Sequence, residues 1–246
     1  MRAVVLAAGY ATRLHPLTLD RPKHLLEVAG RPILDRLLGQ LPLGEVDAVT
    51  VVTNAKFAPR FRAWSEEADY PVPIEVVDDG TISDEDKLGA IGDLDLVVRM
   101  LEGEEDLLVA AGDSLFTERL DGFVRFARER DAAAIAVYDV GDLASMGRLS
   151  AVSVDADGRV TAFEEKPERP TSTLAGIALY FYPRGVLPLV SEYLAEGHNP
   201  DQPGRFVEWL YPRTPVYAWR VPGGWLDVGT PEALAEADRE FGGDSS

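Results

Sequence analysis

The chain opens on Met1 and Arg2 followed by an unbroken apolar run to Ala8, rich in Val, Leu and Ala, which predicts a buried strand over 2–8. A glycine-containing loop follows it directly. At 32–41 the apolar positions change to a helical period. Ile33, Leu34, Leu37, Leu38 and Leu41 form one stripe, and Pro32 falls in the first turn. Strands are predicted at 47–53 and 74–77, with a helix between them at 59–68. Residues 78–88 are acidic and polar and read as a loop, in which Asp79 beside Gly80 is a turn former. A helix at 90–101 carries Ile91, Leu94, Val97, Val98 and Leu101 on one face, and a compact strand at 106–111 ends in Gly112-Asp113.

The second half predicts a helix at 118–130, a strand at 132–140, and a hairpin at 149–164 turning at Asp155, Ala156, Asp157 and Gly158. A strand at 174–182, helices at 185–195 and 205–210, and a strand at 215–221 follow. Thr230, Pro231 and Glu232 supply the N-cap hydroxyl, first-turn proline and early carboxylate of a last helix, with a flexible tail at 242–246. Strands alternating with helices predict an α/β fold: a mixed, largely parallel central sheet covered on both faces, with added hairpin strands. No repeat, low-complexity stretch or linker divides the sequence, so one domain over 1–241 is expected, with halves at about 1–112 and 113–241.

Composition narrows the chemistry. The absence of cysteine excludes disulfides, thiolate metal sites and a cysteine nucleophile. The apolar run at the N-terminus is too short for a signal sequence, and no later run is long enough to span a bilayer, so a cytoplasmic protein without a membrane partner is expected. A net charge of -18 disfavours a nucleic-acid partner. The basic residues are nearly all arginine; only Lys23, Lys56, Lys87 and Lys166 are lysines. Where lysine is this scarce, the positions that keep it are candidates for a compact ammonium that approaches one phosphate oxygen.

Ligands of open α/β sheets sit outside the carboxyl ends of the strands, which directs attention to the first loop. Leu6, Ala7, Ala8, Gly9 and Ala11 let a backbone approach closely and aim N–H groups at phosphate oxygens, and Arg13 adds a bidentate cation. An ordinary strand-to-helix turn would use the same small residues. Asp113, after an apolar strand and a glycine, and Asp227, between an apolar pair and a helix start, are candidate ligands for a hard divalent cation. Glu164-Glu165-Lys166 reads by itself as a solvated charge run. His15, His24 and His198 lack metal-ligand spacing, Lys56 and Lys87 read as surface residues, and Ser114 has no nucleophile elbow around it.

The string from Leu6 through Gly9, Thr12, Arg13, Pro16, Leu17 and Thr18, continued by Pro22-Lys23-His24-Leu25-Leu26, resembles the signature of the sugar nucleotidyltransferase (NDP-sugar pyrophosphorylase) family. Gly112-Asp113, Glu165-Lys166-Pro167, and Trp225-Leu226-Asp227-Val228-Gly229-Thr230 are similar to its later motifs and stand in family order. The resemblance is to the short form, as in glucose-1-phosphate thymidylyltransferases, without a C-terminal β-helix. It implies a three-layer α/β/α, Rossmann-like nucleotidyltransferase fold, and transfer of a nucleoside monophosphate from an NTP to a sugar 1-phosphate. On this resemblance Leu6, Ala8, Gly9, Arg13, Lys23 and Gly89 bind the nucleotide, and Asp113 and Asp227 hold Mg²⁺. Gly147, Glu165, Lys166 and Gly176 bind the sugar phosphate, and Arg13, Lys23 and Lys166 are catalytic.

Two departures stand out. Ala11 replaces a family glycine, which strains the loop only if its φ is positive, and a modest shift of backbone geometry is expected there. Leu174 replaces a family asparagine, which leaves the sugar open, along with a choline or inositol phosphate acceptor used with CTP. A non-catalytic sugar-nucleotide-binding subunit is the other alternative, and the base and a homo-oligomeric state stay open.

Overall fold

The structure, a computed structural model, describes residues 1–243. In chain order it forms β1 (Arg2–Leu6), β2 (Glu27–Val28), β3 (Arg31–Pro32), α1 (Ile33–Gln40), β4 (Ala48–Thr53), α2 (Ala58–Glu67) and β5 (Ile74–Asp78). Next come α3 (Ala90–Met100), β6 (Leu107–Ala111), β7 (Ser114–Phe116), α4 (Asp121–Arg130), β8 (Ala133–Asp139), β9 (Ser150–Val154) and β10 (Val160–Glu165). The chain continues through β11 (Leu174–Tyr182), α5 (Pro188–Ala195), α6 (Pro203–Leu210), β12 (Val216–Arg220), β13 (Trp225–Asp227) and α7 (Pro231–Gly242). Of the expected tail, Gly242 is still helical, Gly243 is the residue that ends the helix, and 244–246 lie outside the described residues.

Two compact units interleave along the chain. One comprises Ala3–Lys87, Ala110–Asp121 and the residues from Pro222 on. Its strands run in the order β1-β4-β5, and β4 pairs with β5 in parallel from Val49↔Ile74 to Thr53↔Asp78. All six residues of β4 are buried, as expected of a central parallel strand apolar on both faces. The stripe of α1 buries Ile33, Leu34, Leu37 and Leu38; Pro32 is the residue before the helix rather than in its first turn. At the other end, Thr230 caps α7 by accepting the Ala233 N–H at 3.2 Å. Leu14, Leu26, Val28, Ile33, Leu115, Val228 and Ala237 make an apolar cluster in this unit.

The other unit comprises Met1–Arg2, Leu88–Val109 and Gly122–Val221. In it β11 pairs antiparallel with β8 and with β9, β10 returns antiparallel on β9 as the expected hairpin, and β12 joins β8 in parallel. Besides one-residue differences at α1 and α2, three helix starts differ from the sequence pattern by two or three residues. In the first unit, α4 begins at Asp121 instead of 118 because the Leu120 N–H bonds Gln40 O at 2.9 Å and Arg119 pairs with Asp121. In this unit, Pro188 and Pro203 set the starts of α5 and α6 at their first turns.

Candidate active site

In the first unit the loop after β1 is held from beneath. Buried Asn54 donates its side-chain N–H to Ala8 O at 2.7 Å, and buried Thr18 donates its hydroxyl to Ala11 O at 2.9 Å. Tyr10 turns inward to Thr81 (3.2 Å), leaving Gly9, Thr12 and Arg13 exposed. Ala11 has φ 49 and ψ 43, the left-handed region in which a Cβ is strained, so the departure from glycine is strained here and Thr18 holds it. Among the described residues, no backbone N–H of residues 8–11 has a partner within the fold. A run of unpartnered N–H groups beside an arginine suits phosphate oxygens.

Two three-residue strands bring the aspartates together. β13 lies antiparallel on β7 with Asp227 opposite Ser114, and the Val228 N–H bonds Asp113 O at 3.1 Å. Lys23, in the tight turn Lys23–Leu25, donates its Nζ to Asp113 Oδ2; both side chains are largely covered. A Cβ added at Gly229 would meet Arg13 Nη2 at 3.7 Å and Asp227 Oδ2 at 3.6 Å, which places the guanidinium and that carboxylate around one glycine. Arg13, Lys23, Asp113 and Asp227 therefore converge.

Charge in this cluster is unevenly held. Burial alone would raise Asp113, but the Lys23 ammonium overrides it and keeps the carboxyl below its ordinary range. Asp227 is pushed up to about 6 by desolvation and by the Asp113 carboxylate. Because Asp227 is exposed, repulsion from Asp113 is the cause that survives solvent. His24, fully buried beneath Lys23, is lowered to about 3 by burial and then by the Lys23 charge, so it stays neutral. Its ring packs near Phe61 (5.9 Å between centroids), and its Cδ2 lies 2.8 Å from where a Cβ at Gly112 would stand. That contact explains the glycine before Asp113.

The remaining expected residues, Gly89, Gly147, Glu165, Lys166 and Gly176, belong to the other unit. Lys166 is exposed on a backbone with φ 52, and its N–H bonds Leu149 O at 3.0 Å; Gly147 stands near Pro167 O. Glu165 is buried and accepts the Ser150 hydroxyl. Burial and the Glu165 charge together raise the Tyr180 phenol. Two glycines answer to packing: a Cβ at Gly176 would meet Phe163 at 2.9 Å, and one at Gly89 (φ 79) would meet Pro200 O at 2.6 Å. Leu174 is buried in β11. Asp79 is a turn former, accepting the Thr81 N–H and hydroxyl, each at 2.7 Å. Sequence reasoning passed over Thr18, Asn54, Ser150 and Gly204, and only Thr18 lay within a recognised string.

Among the described residues no group of three or more His, Asp or Glu could hold a metal, and no helix is long and apolar enough to cross a membrane. Two adjoining carboxylates, one with its proton affinity raised by the other, nonetheless fit a divalent cation whose remaining ligands are phosphate oxygens and water.

Fold and site define an α/β protein with a loop of unpartnered N–H groups after its first strand and a lysine–aspartate cluster in the same unit. The sequence profile of the nucleotidyl transferase family matches residues 2–242, and the chain belongs to that family. It is 30% identical over 243 residues to UTP–glucose-1-phosphate uridylyltransferase AglF of Haloferax volcanii, covering 98% of this chain and 96% of that one. It is 26% identical to glucose-1-phosphate thymidylyltransferase of Streptomyces antibioticus, covering 97% of this chain and 65% of that one. A solved UDP-glucose pyrophosphorylase, complexed with UDP-glucose, matches with a TM-score of 0.83 at 19% identity, over 99% of this chain and 98% of that one. The likeness shows the expected Rossmann-like fold, and the chain is a nucleotidyltransferase.

Proposed function

We propose that this enzyme transfers a nucleoside monophosphate from an NTP to a sugar 1-phosphate, yielding an NDP-sugar and pyrophosphate. The convergence of Arg13, Lys23, Asp113 and Asp227 beside the unpartnered N–H groups of residues 8–11 carries the proposal. A single family profile across residues 2–242 supports treating both units as parts of one catalytic domain.

In this mechanism the loop N–H groups and Arg13 bind the triphosphate. Lys166 pairs with the phosphate of the sugar 1-phosphate, and the Glu165 carboxylate accepts a sugar hydroxyl. An oxygen of that phosphate attacks the nucleotide α-phosphorus in line, and the bond to the β-phosphate oxygen breaks as pyrophosphate leaves. Lys23 and Arg13 offset the negative charge that spreads over the oxygens during the displacement. Asp113 and Asp227 would hold Mg²⁺, which supplies further positive charge to the phosphates when bound. The site of action follows its soluble substrates, in the cytoplasm.

The relatives favour a sugar over choline or inositol phosphate, and retention of Lys23, Asp113, Lys166 and Asp227 argues against a non-catalytic subunit. A matrix of nucleoside triphosphates against sugar 1-phosphates, read by pyrophosphate release with Mg²⁺, tests the proposal. Release should depend on a sugar 1-phosphate, and no release from any combination refutes it.

A further inference from the structure

We propose that Ser150 and Gly204 are positioning residues that fix the Glu165 carboxylate, locking one of its oxygens so that the other meets a sugar hydroxyl. This rests on the sugar 1-phosphate function above. Ser150 lies between two strands, opposite Glu165 of β10 on one side and Gly176 of β11 on the other. Its hydroxyl donates to Glu165 Oε2, and both side chains are buried. On the same oxygen sits the first turn of α6. A Cβ at Gly204 would collide with Oε2 and stand 2.9 Å from Ser150 Oγ and 3.0 Å from Glu165 Cδ. Any side chain at 204 would displace the carboxylate or the helix.

Glu165 Oε1 is left otherwise. Among the described residues it accepts no hydrogen bond, yet it is not sealed in, and Glu165 keeps 8% of its surface open. A carboxylate this deep with one hydroxyl partner is costly, and an apolar residue would pack there more cheaply. The cost is explained if Oε1 completes its bonding with ligand hydroxyls. One residue on, Lys166 is exposed on strained left-handed backbone, a conformation that persists where the surroundings over-determine it. A carboxylate that accepts hydroxyls and an ammonium that binds phosphate, side by side in sequence, match the two ends of a sugar phosphate and leave an unhydroxylated acceptor half-recognised.

The experiment uses the full chain and whichever of glucose, mannose, galactose or N-acetylglucosamine 1-phosphate it turns over fastest, with that compound's monodeoxy analogues. Ser150→Ala should raise the KM for the sugar 1-phosphate about tenfold while leaving kcat and the NTP KM nearly unchanged. Ser150→Thr should restore most of the loss, and the penalty should vanish for the deoxy analogue that lacks the recognised hydroxyl. Glu165→Gln, which keeps the shape should Ser150→Ala not fold, should raise the same KM, and the double variant should be no worse than Glu165→Gln alone. An unchanged sugar KM, or equal rises for sugar and NTP, overturns the positioning role alone. Absence of product from the unmodified protein with every sugar 1-phosphate overturns the proposed function, and this role with it.

Discussion

Asp227 stands directly opposite Ser114 in the pairing of β13 with β7, so two three-residue strands set the Asp227 carboxylate beside that of Asp113. Neither strand exists without the other. Asp113→Asn and Asp227→Asn should each lower kcat by about a hundredfold or more, the scale of weakening the cation that would offset charge on the reacting phosphates. Far-ultraviolet circular dichroism should be unchanged. Near-normal pyrophosphate release from either variant would remove both aspartates from the mechanism.

Asp227 also has a signature in stability. Its carboxyl is raised to about 6 when folded, against an ordinary value near 4 when unfolded, so the stability it contributes is present below about pH 4 and lost as pH rises through 6. In a chelator, Asp227→Asn should therefore raise the melting temperature at pH 8 and leave it unchanged at pH 3.5. Equal shifts at the two pH values would show that repulsion from Asp113 is absent.

Ala11 offers a test of strain. Its φ of 49 favours glycine, and Ala11→Gly should stabilise the protein by about 0.5–1 kcal/mol, read from the denaturant midpoint. A destabilised variant would mean that the alanine methyl contributes packing that outweighs the strain.

Thr18 should report on the same loop from its other side. Thr18→Val removes the donor to Ala11 O and should cost about 1–2 kcal/mol, with a rise in the KM for NTP but not for the sugar phosphate. A KM rise confined to the sugar phosphate would contradict placing the triphosphate on this loop.

Gly112 and His24 should be coupled. Gly112→Ala sets a methyl against His24 Cδ2 and should cost about 2–3 kcal/mol, and adding His24→Ala should cost less than the two single effects summed. Additive effects in thermal unfolding would show that the glycine is needed for another reason.

Much of this was legible in the sequence, for identifiable reasons. The hydrophobic pattern found β4 and β11, although β4 buries Thr50 and Thr53 among its apolar residues, and caps found α7 because Thr230 and Pro231 act locally. The strings around Arg13, Lys23 and Asp227 were recognisable, and the fold brings those residues together with Asp113. The pairing of β7 with β13 was not visible, since three residues carry no period and the partners, such as Leu115 and Leu226, lie far apart in the sequence. Gly89 and Gly176 each have a packing reason that the sequence does not display: a side chain at either position would meet Pro200 or Phe163, residues distant in the chain. Ser150 and Gly204 went unread because their meaning depends on a third residue, Glu165.

The scarcity of lysine makes the enzyme unusually open to chemical footprinting. Lys23 is covered and ion-paired with Asp113, Lys56 lies over the Phe57 ring, Lys87 is paired with Asp84, and Lys166 is exposed. An amine-reactive label would meet four side chains in the whole molecule, and protection of Lys23 and Lys166 by separate ligands could be followed residue by residue in one mass spectrum.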